Sequence, residues 1–330
     1  MADPAPQFDI LIVGSGPSGA HAAAEAVGRG CKVALLDIGY TDDRIQKSIP
    51  VRPFSEIRRT DPRQHLYFLG DDPAAALRNQ ARAGAHLTPA RQHMIRDMDR
   101  LFPLESATFL PLQSSGLGGL GVSWGGNCFA FEDFELERIG IPAQELRPHY
   151  ADAAREAGIS GPAGDALTPL IANLDPTAVQ PPLPLDSNAE SILARYERRR
   201  ARHVERGFYL GQSMLATLSR PQDGRGANPL FDMDYWADFG RSVYRPRYSL
   251  DKLAASPGFT HLTGLLATRF RESGGAVHLE CRGVEGGAEA RFTARKLLLA
   301  RAPSVADAWR WPRRATSKRG CPFSATGTTG

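Results

Sequence analysis

The sequence predicts an α/β fold in which a parallel sheet, opened by a βαβ unit, is joined to a small antiparallel sheet. Three stretches carry this expectation. They are the strand–turn–helix–strand order of Phe8–Asp37, the glycine-rich segment Ser114–Asn127, and the short apolar runs between Phe259 and Ala300.

In the first stretch an apolar run, Ile10–Val13, ends in Gly14-Ser15-Gly16-Pro17-Ser18-Gly19. A small-residue helix is expected from Ala20 to about Val27, stopped by Gly28 and Gly30, and a second apolar run, Val33–Leu36, ends on Asp37. This order is the one a dinucleotide site requires. Gly14 allows the tight turn off the strand, Gly16 lets the backbone approach a pyrophosphate, and Gly19 permits close helix–strand contact. The helix N-terminus offers N–H groups and a partial positive charge to phosphates. Asp37 can accept hydrogen bonds from ribose hydroxyls and disfavours a 2′-phosphate, so NADP is not expected. FAD and NAD both remain open on these residues.

Composition narrows the class. At 330 residues, 42% apolar and 23% charged, the chain can bury a sizeable core and hold two domains. The opening MADPAPQFD has no basic and apolar signal pattern, and no run reaches membrane-span length. Cys31, Cys128, Cys281 and Cys321 are scattered without metal or redox spacing, so free thiols in a cytoplasmic protein, and no metal site, are expected. The isoelectric point is about 9.0, yet residues 301–330 carry a net +5 of the chain's +4, leaving −1 on residues 1–300. That distribution argues against nucleic-acid binding. The run Arg198-Arg199-Arg200-Ala201-Arg202 lies between Glu197 and Glu205 and reads as a solvated helix face.

Between residues 41 and 109 a helical insertion is expected, with helices around Pro73–Ala85 and Pro89–Leu101. His65, His86 and His93 have no metal-ligand spacing there and read as surface or core histidines. Ser114–Asn127 then holds six glycines in fourteen residues. Leu117, Leu120, Val122 and Trp124 make a mobile surface loop a poor account of it, so the backbone is expected to press against a flat ligand.

The opening βαβ unit together with this segment resembles the glucose–methanol–choline oxidoreductases, a family of flavoproteins. Gly118, Gly119, Leu120 and Gly121 stand where many members carry Gly-Gly-Ser-Ser or Gly-Gly-Thr-Thr. Ser123-Trp124 stands where some carry His-Trp, with a histidine that in certain members bonds covalently to FAD. The resemblance therefore implies non-covalent FAD, and a Rossmann-like FAD-binding fold with a partial α+β substrate region. It also covers Phe131-Glu132-Asp133-Phe134 and Glu145–Tyr150, followed by an Ala-rich helix ending at Gly158. In the family this is where the chain enters the substrate region. An irregular connection over 162–190, a helix from Ala189 to about Arg206, and a strand within Phe208–Leu218 are expected next. His149 reads as a solvent-facing helix residue rather than a proton carrier, and Tyr235, Trp236, Tyr244 and Tyr248 suit a pocket wall or packing equally.

A helix beginning at Ser249–Leu253 leads into strands at Phe259–Gly264, Leu265–Phe270, Val277–Cys281, Ala290–Thr293 and Lys296–Ala300. The resemblance implies that backbone beside Ala267 contacts adenine. It divides the chain into a discontinuous FAD-binding unit (1–40, 110–135 and 248–300), the helical insertion (41–109), a partial substrate or cap region (136–247), and an aberrant basic tail (301–330).

The tail has no apolar periodicity. Back-translated from the third base of the Arg301 codon, with third bases left open, it permits Gly-Ala-Val-Gly-Ser/Gly-Gly/Arg-Arg-Val-Ala-Leu-Ala, the strand end and helix that the resemblance leads one to expect. A frameshift near codon 301 is the resulting expectation. The family's C-terminal part carries a catalytic histidine with a His or Asn partner, and no motif here matches it, so no catalytic residue is nominated. The function expected is FAD-dependent oxidation of a CH–OH group on an alcohol, sugar or polyol, with hydride passing to flavin N5 and the final electron acceptor undefined. The chain as written is expected to be catalytically incomplete. The competing readings are a non-catalytic flavin-binding or interaction protein, and another FAD- or NAD-dependent oxidoreductase.

Overall fold

A computed structural model describes residues 6–70, 88–103, 112–171 and 174–300. The predicted helix at 73–85, His86 and the whole 301–330 tail lie outside the described residues.

Phe8–Val13 forms β1, Pro17–Gly28 forms α1 and Val33–Leu36 forms β2. Pro17 at the first helical position presets the helical φ, so α1 starts three residues before the run of small residues that predicts it. Four more strands follow: β3 (Phe259–Leu262), β4 (Leu265–Ser273), β5 (Ala276–Gly283) and β6 (Glu289–Leu299). They make one six-stranded sheet in the order β3-β2-β1-β6-β5-β4. β3, β2, β1 and β6 run parallel, while β4, β5 and the first half of β6 are antiparallel.

The antiparallel part is therefore not a separate sheet. Ala294 pairs with Val277 of β5 and with Phe8 of β1, so β6 passes from one set of partners to the other without a break. This merges the two short strands expected at Ala290–Thr293 and Lys296–Ala300 into one.

Alternation along β1 and β2 separates two cores. Ile12, Val33 and Leu35 face Ala20, Ala23 and Ala26 of α1, together with Leu250 and Leu253 of a later helix. Leu11, Val13, Ala34 and Leu36 face Ala267, Leu279 and Cys281 of the antiparallel strands. Each fully buried leucine contributes about 1.5–3 kcal/mol, so both faces of the parallel strands are held.

The remaining chain forms shorter helices and loops around its own core of Ala154, Ile159, Met214, Ala216 and Tyr244. Its main helices are α2 (Ala143–Ala157), α3 (Ser187–Glu197), α4 (Arg200–Glu205) and α5 (Pro246–Leu253). No described helix is long and apolar enough to cross a membrane.

Three expectations are corrected. The stretch expected to be one helix over Pro89–Leu101 is a 3-10 turn, Pro89–Ile95, then a single α-turn, Met98–Leu101, divided by Asp97 in the left-handed region (φ 57). The cause is tertiary: Ser115 N–H donates to the Met94 carbonyl and Ser115 Oγ to that of Arg96, which takes both from helical use. The helix expected over Ala189–Arg206 is divided between α3 and α4, where Tyr196 stacks on His203 and donates its hydroxyl to the Phe208 carbonyl. Phe208–Leu218 makes isolated bridges at Leu215 and Thr217 and no strand.

Candidate functional site

The turn between β1 and α1 is built by backbone geometry. Gly14 has φ 108, which lets the chain reverse off β1 while its N–H donates to the Leu36 carbonyl (2.8 Å). A Cβ at Gly19 would sit inside the Gly14 carbonyl, so Gly19 is a packing residue of this turn. Gly16 differs: a Cβ there would meet no protein atom within 4 Å. Gly16 is also the N-cap of α1 and supplies no capping side chain, and no acidic side chain lies in the first turn. The N–H groups that begin the helix are left for an outside acceptor.

The second glycine segment closes over this turn. Gly118 N–H donates to Ser15 Oγ (2.9 Å), and a Cβ on Gly119 would come within 3.2 Å of Gly16 Cα. Leu117 N–H donates to the Tyr40 carbonyl, anchoring the segment beyond β2. Gly119–Val122 is a 3-10 turn, with Leu117 and Val122 packed inward.

Together the two segments wall a cavity of about 420 Å³. Gly14, Ser15, Gly16, Pro17 and Ser18 line one end, and Gly119 and Leu120 close over it. Asp37 stands farther along, where Ala267 and the apolar group Ile38, Phe102 and Leu266 complete the wall. Leu299 and Ala300 bring the end of β6 beside the glycine turn. Of the other residues singled out in the sequence, Gly19 and Gly118 support this cavity without lining it. Ser123 and Trp124 line a separate cavity of about 220 Å³ with Arg91, Thr217, Asn228 and Tyr235. Trp124 is held there by its indole N–H, which donates to the Tyr244 carbonyl (2.8 Å).

Asp37 is the chemical centre of the first cavity. Its N–H donates to the Leu262 carbonyl and its own carbonyl accepts from Leu265 N–H, which pins it between β3 and β4. Both carboxylate oxygens are buried, and neither has a hydrogen-bond partner among the described residues. His261 Nε2 lies 3.5 Å from Oδ1 and is itself without a hydrogen-bond partner among the described residues. A buried carboxylate lacking donors is costly, and a vicinal diol supplies the two O–H donors that fit it. The orphaned oxygens, the uncapped helix start and the empty space above Gly16 together fit a nucleotide diphosphate.

Sequence reasoning did not single out Gly39, Phe102 or His261. Gly39 has φ 66, and a Cβ there would lie 2.6 Å from Asp37 Oδ1. A glycine two positions after a strand-ending acid is a readable signal. Phe102 and His261 give none, because they arrive from remote elements. In β4 the register with β5 shifts between Ala267 and Arg269, a bulge that interrupts the ladder beside the cavity wall.

The remaining candidates are placed plainly. His149 is exposed on α2 and His65 is exposed on its short helix, Gln64–Phe68. Tyr235 lines the Trp124 cavity and Tyr248 lines a third one, whereas Trp236 stacks on Phe54 and Tyr244 is buried. Arg198, Arg199 and Arg202 are exposed at the junction of α3 and α4.

No family model matches the chain, and no curated protein does. Among solved structures, pyridoxine 4-oxidase from Mesorbium loti is similar at 18% identity and a TM-score of 0.42, over 88% of this chain and 48% of its own. AlpK is similar at 14% identity and a TM-score of 0.28, over 92% of this chain and 33% of its own. This chain thus spans about half the length of the first and a third of the second.

Proposed function

We propose that this chain binds FAD non-covalently, with the adenosine half in the Asp37 cavity, as part of an oxidoreductase acting on the CH–OH group of an alcohol, sugar or other polyol. The observation that carries the reading is Asp37. Its two carboxylate oxygens are buried without partners at the end of β2, in a cavity whose other end is the uncapped start of α1.

In this reading Asp37 accepts from the ribose hydroxyls, and the first-turn N–H groups of α1 donate to the pyrophosphate. Gly16 and Gly119 keep side chains out of its path, while Ile38, Phe102 and Leu266 give the adenine an apolar slot. Bound FAD supplies the two-electron acceptor that side chains lack. Ser123 offers no ring nitrogen for a covalent link, and the Trp124 cavity marks the flavin side. The binding unit is then discontinuous, drawn from residues 1–40, 110–135 and 248–300, with 136–247 on the substrate side. The base that takes the alcohol proton is assigned to no described residue. A cytoplasmic setting is part of the proposal and rests on the free thiols of Cys31, Cys128 and Cys281.

The test is a titration of the purified chain with FAD, followed by quenching of flavin fluorescence, with ADP and NAD as competitors. The wild-type chain is expected to bind saturably and ADP to compete. Asp37→Ala is expected to weaken binding about 10- to 100-fold, the worth of hydrogen bonds to a charged acceptor. Unchanged affinity in Asp37→Ala, or displacement of FAD by NAD at equal concentration, overturns the reading.

A further inference from the structure

A cavity of about 470 Å³ shares no lining residue with the nucleotide cavity. Gly119 and Leu120 line the nucleotide cavity, Leu117 and Val122 line this one, and the glycine segment is the wall between them. Its distinguishing feature is buried positive charge.

Most charges around it are matched. Arg247 forks onto Asp43 (3.0 Å), which Lys47 also approaches at 3.9 Å, and Arg241 pairs with Asp251 (2.6 Å). Two guanidiniums are not so well served. Arg245 is 5% exposed; its Nη1 donates to the carbonyls of Gly121 and Trp124, but its Nε is buried without a hydrogen-bond partner. The carboxylate nearest that Nε is Asp238, at 3.7 Å, and Asp238 already accepts from the Tyr248 hydroxyl and from Val243 N–H. Arg91 is 4% exposed, and among the described residues its hydrogen bond is one long contact from Nη2 to the Asp234 carbonyl (3.4 Å). No carboxylate lies within ion-pair distance of it among the described residues. His93 Nδ1, in the same wall, is buried and has no hydrogen-bond partner among the described residues.

Arg225 provides the internal contrast. It is as buried as Arg245, yet its three nitrogens donate to the carbonyls of Arg241, Ala157 and Ser242 at 2.9–3.0 Å. Each guanidinium nitrogen of Arg225 has a carbonyl partner, whereas among the described residues Arg91 has one hydrogen bond, from Nη2. Burial first, and then the charge of Arg245, push the Arg91 guanidinium down to about 10. Burial, and then the charge of Arg91, push His93 below its ordinary range. Buried cations of this kind are costly unless an anion compensates them, and guanidinium forks suit planar or tetrahedral oxyanions.

We propose that this cavity is a binding site for a compact oxyanion, the carboxylate or phosphate group of a small molecule, gripped by Arg91 with Arg245 Nε and His93 Nδ1 as further donors. It shares no lining residue with the Asp37 cavity, while Arg91 stands between it and the Trp124 cavity.

The test is thermal unfolding and calorimetry of the full chain with inorganic phosphate and, separately, acetate, at ionic strength held constant with KCl. Saturable stabilisation by at least one anion is expected. A stronger response to phosphate identifies a phosphorylated ligand, and an equal or stronger response to acetate a carboxylated one. Arg91→Met should weaken the response at least about 10-fold and should melt higher than wild type in KCl alone, because the uncompensated buried charge is gone. Should Arg91→Met not fold, Arg91→Lys and His93→Gln carry the test, each expected to weaken the anion several-fold. Phosphate could also settle at the start of α1, so Gly16→Val is run in parallel and should keep the full response. No saturable response in wild type, a response that the Arg91 and His93 variants leave intact, or one that Gly16→Val abolishes overturns the proposal.

Discussion

At the scale of single residues, the Asp37 cavity is set by one carboxylate whose two oxygens are buried and, among the described residues, without a hydrogen-bond partner. Asp37 was readable from its position after Leu36, because an acid ending the second strand of a βαβ unit has few other uses. Gly39 and His261 complete its setting. Gly39 leaves room for Oδ1, and His261 reaches it because Leu35 and His261 are register partners on β2 and β3, 226 positions apart in the chain. No linear pattern encodes that meeting. Gly39→Ala is expected to act twice. An alanine held at φ 66 costs about 1–2 kcal/mol of stability, and its Cβ would push the Asp37 carboxylate off the position a ribose needs. Chemical denaturation should show the first effect and FAD titration a loss beyond it. An FAD affinity equal to wild type in the folded variant would mean that the carboxylate position is not what the ligand reads.

Elements show why some of the chain was legible and some was not. The βαβ unit could be read because every residue in it answers to a local demand: apolar alternation for two cores, and glycines for one turn. Strands β3 to β6 were legible for the same reason, though not their fusion through Ala294. The 89–101 stretch was misread because Met94, Met98 and Leu101 have helical spacing and are buried, while Ser115 captures the carbonyls that a continuous helix would use. Tertiary contacts overrode the pattern. The glycine turn offers a sharp test of how function and fold divide within one element. Gly16→Ala adds a methyl group into space that no protein atom occupies, so stability should hold while FAD binding weakens. Gly19→Ala drives a methyl group into the Gly14 carbonyl, so it should lose about 1–3 kcal/mol of stability, as overpacked sites do. Melting temperatures and FAD titrations on the two variants should therefore separate. Equal losses of stability in both would show that the space above Gly16 is not open in solution.

Across the whole molecule, the sheet and the surrounding loops meet at a polar junction that no single segment of sequence announces. Glu156 of α2 accepts from Ser249 of α5 (2.6 Å) and lies 3.3 Å from His21 of α1. Tyr244 joins them through its hydroxyl, 2.9 Å from Ser249 Oγ and 3.4 Å from His21 Nδ1, and its carbonyl accepts the Trp124 indole. Burial, foremost, and the nearby Glu156 charge push the Tyr244 hydroxyl up to about 12 from 10.0. The unfolded chain releases this proton first. The stability tied to it is therefore complete below pH 10 and is lost as the pH rises through about 12. Cys281, buried against β1 and β2 and raised to about 12 from 9.0, declines in the same direction from a lower pH. Urea unfolding of a Cys281→Ala background between pH 8 and pH 12, with and without Tyr244→Phe, should isolate Tyr244 by difference, since Tyr40, Tyr248 and Cys128, also raised, are common to both. Tyr244→Phe should be less stable than that background at pH 8 by about 1 kcal/mol, for the lost hydrogen bond. Because phenylalanine has no proton to lose at this position, it should show a shallower alkaline decline, so its deficit should shrink above pH 10 and reverse before pH 12. Parallel curves would mean that Tyr244 ionises as easily in the folded chain as in the unfolded one, and that the junction between α1, α2 and α5 is open to water.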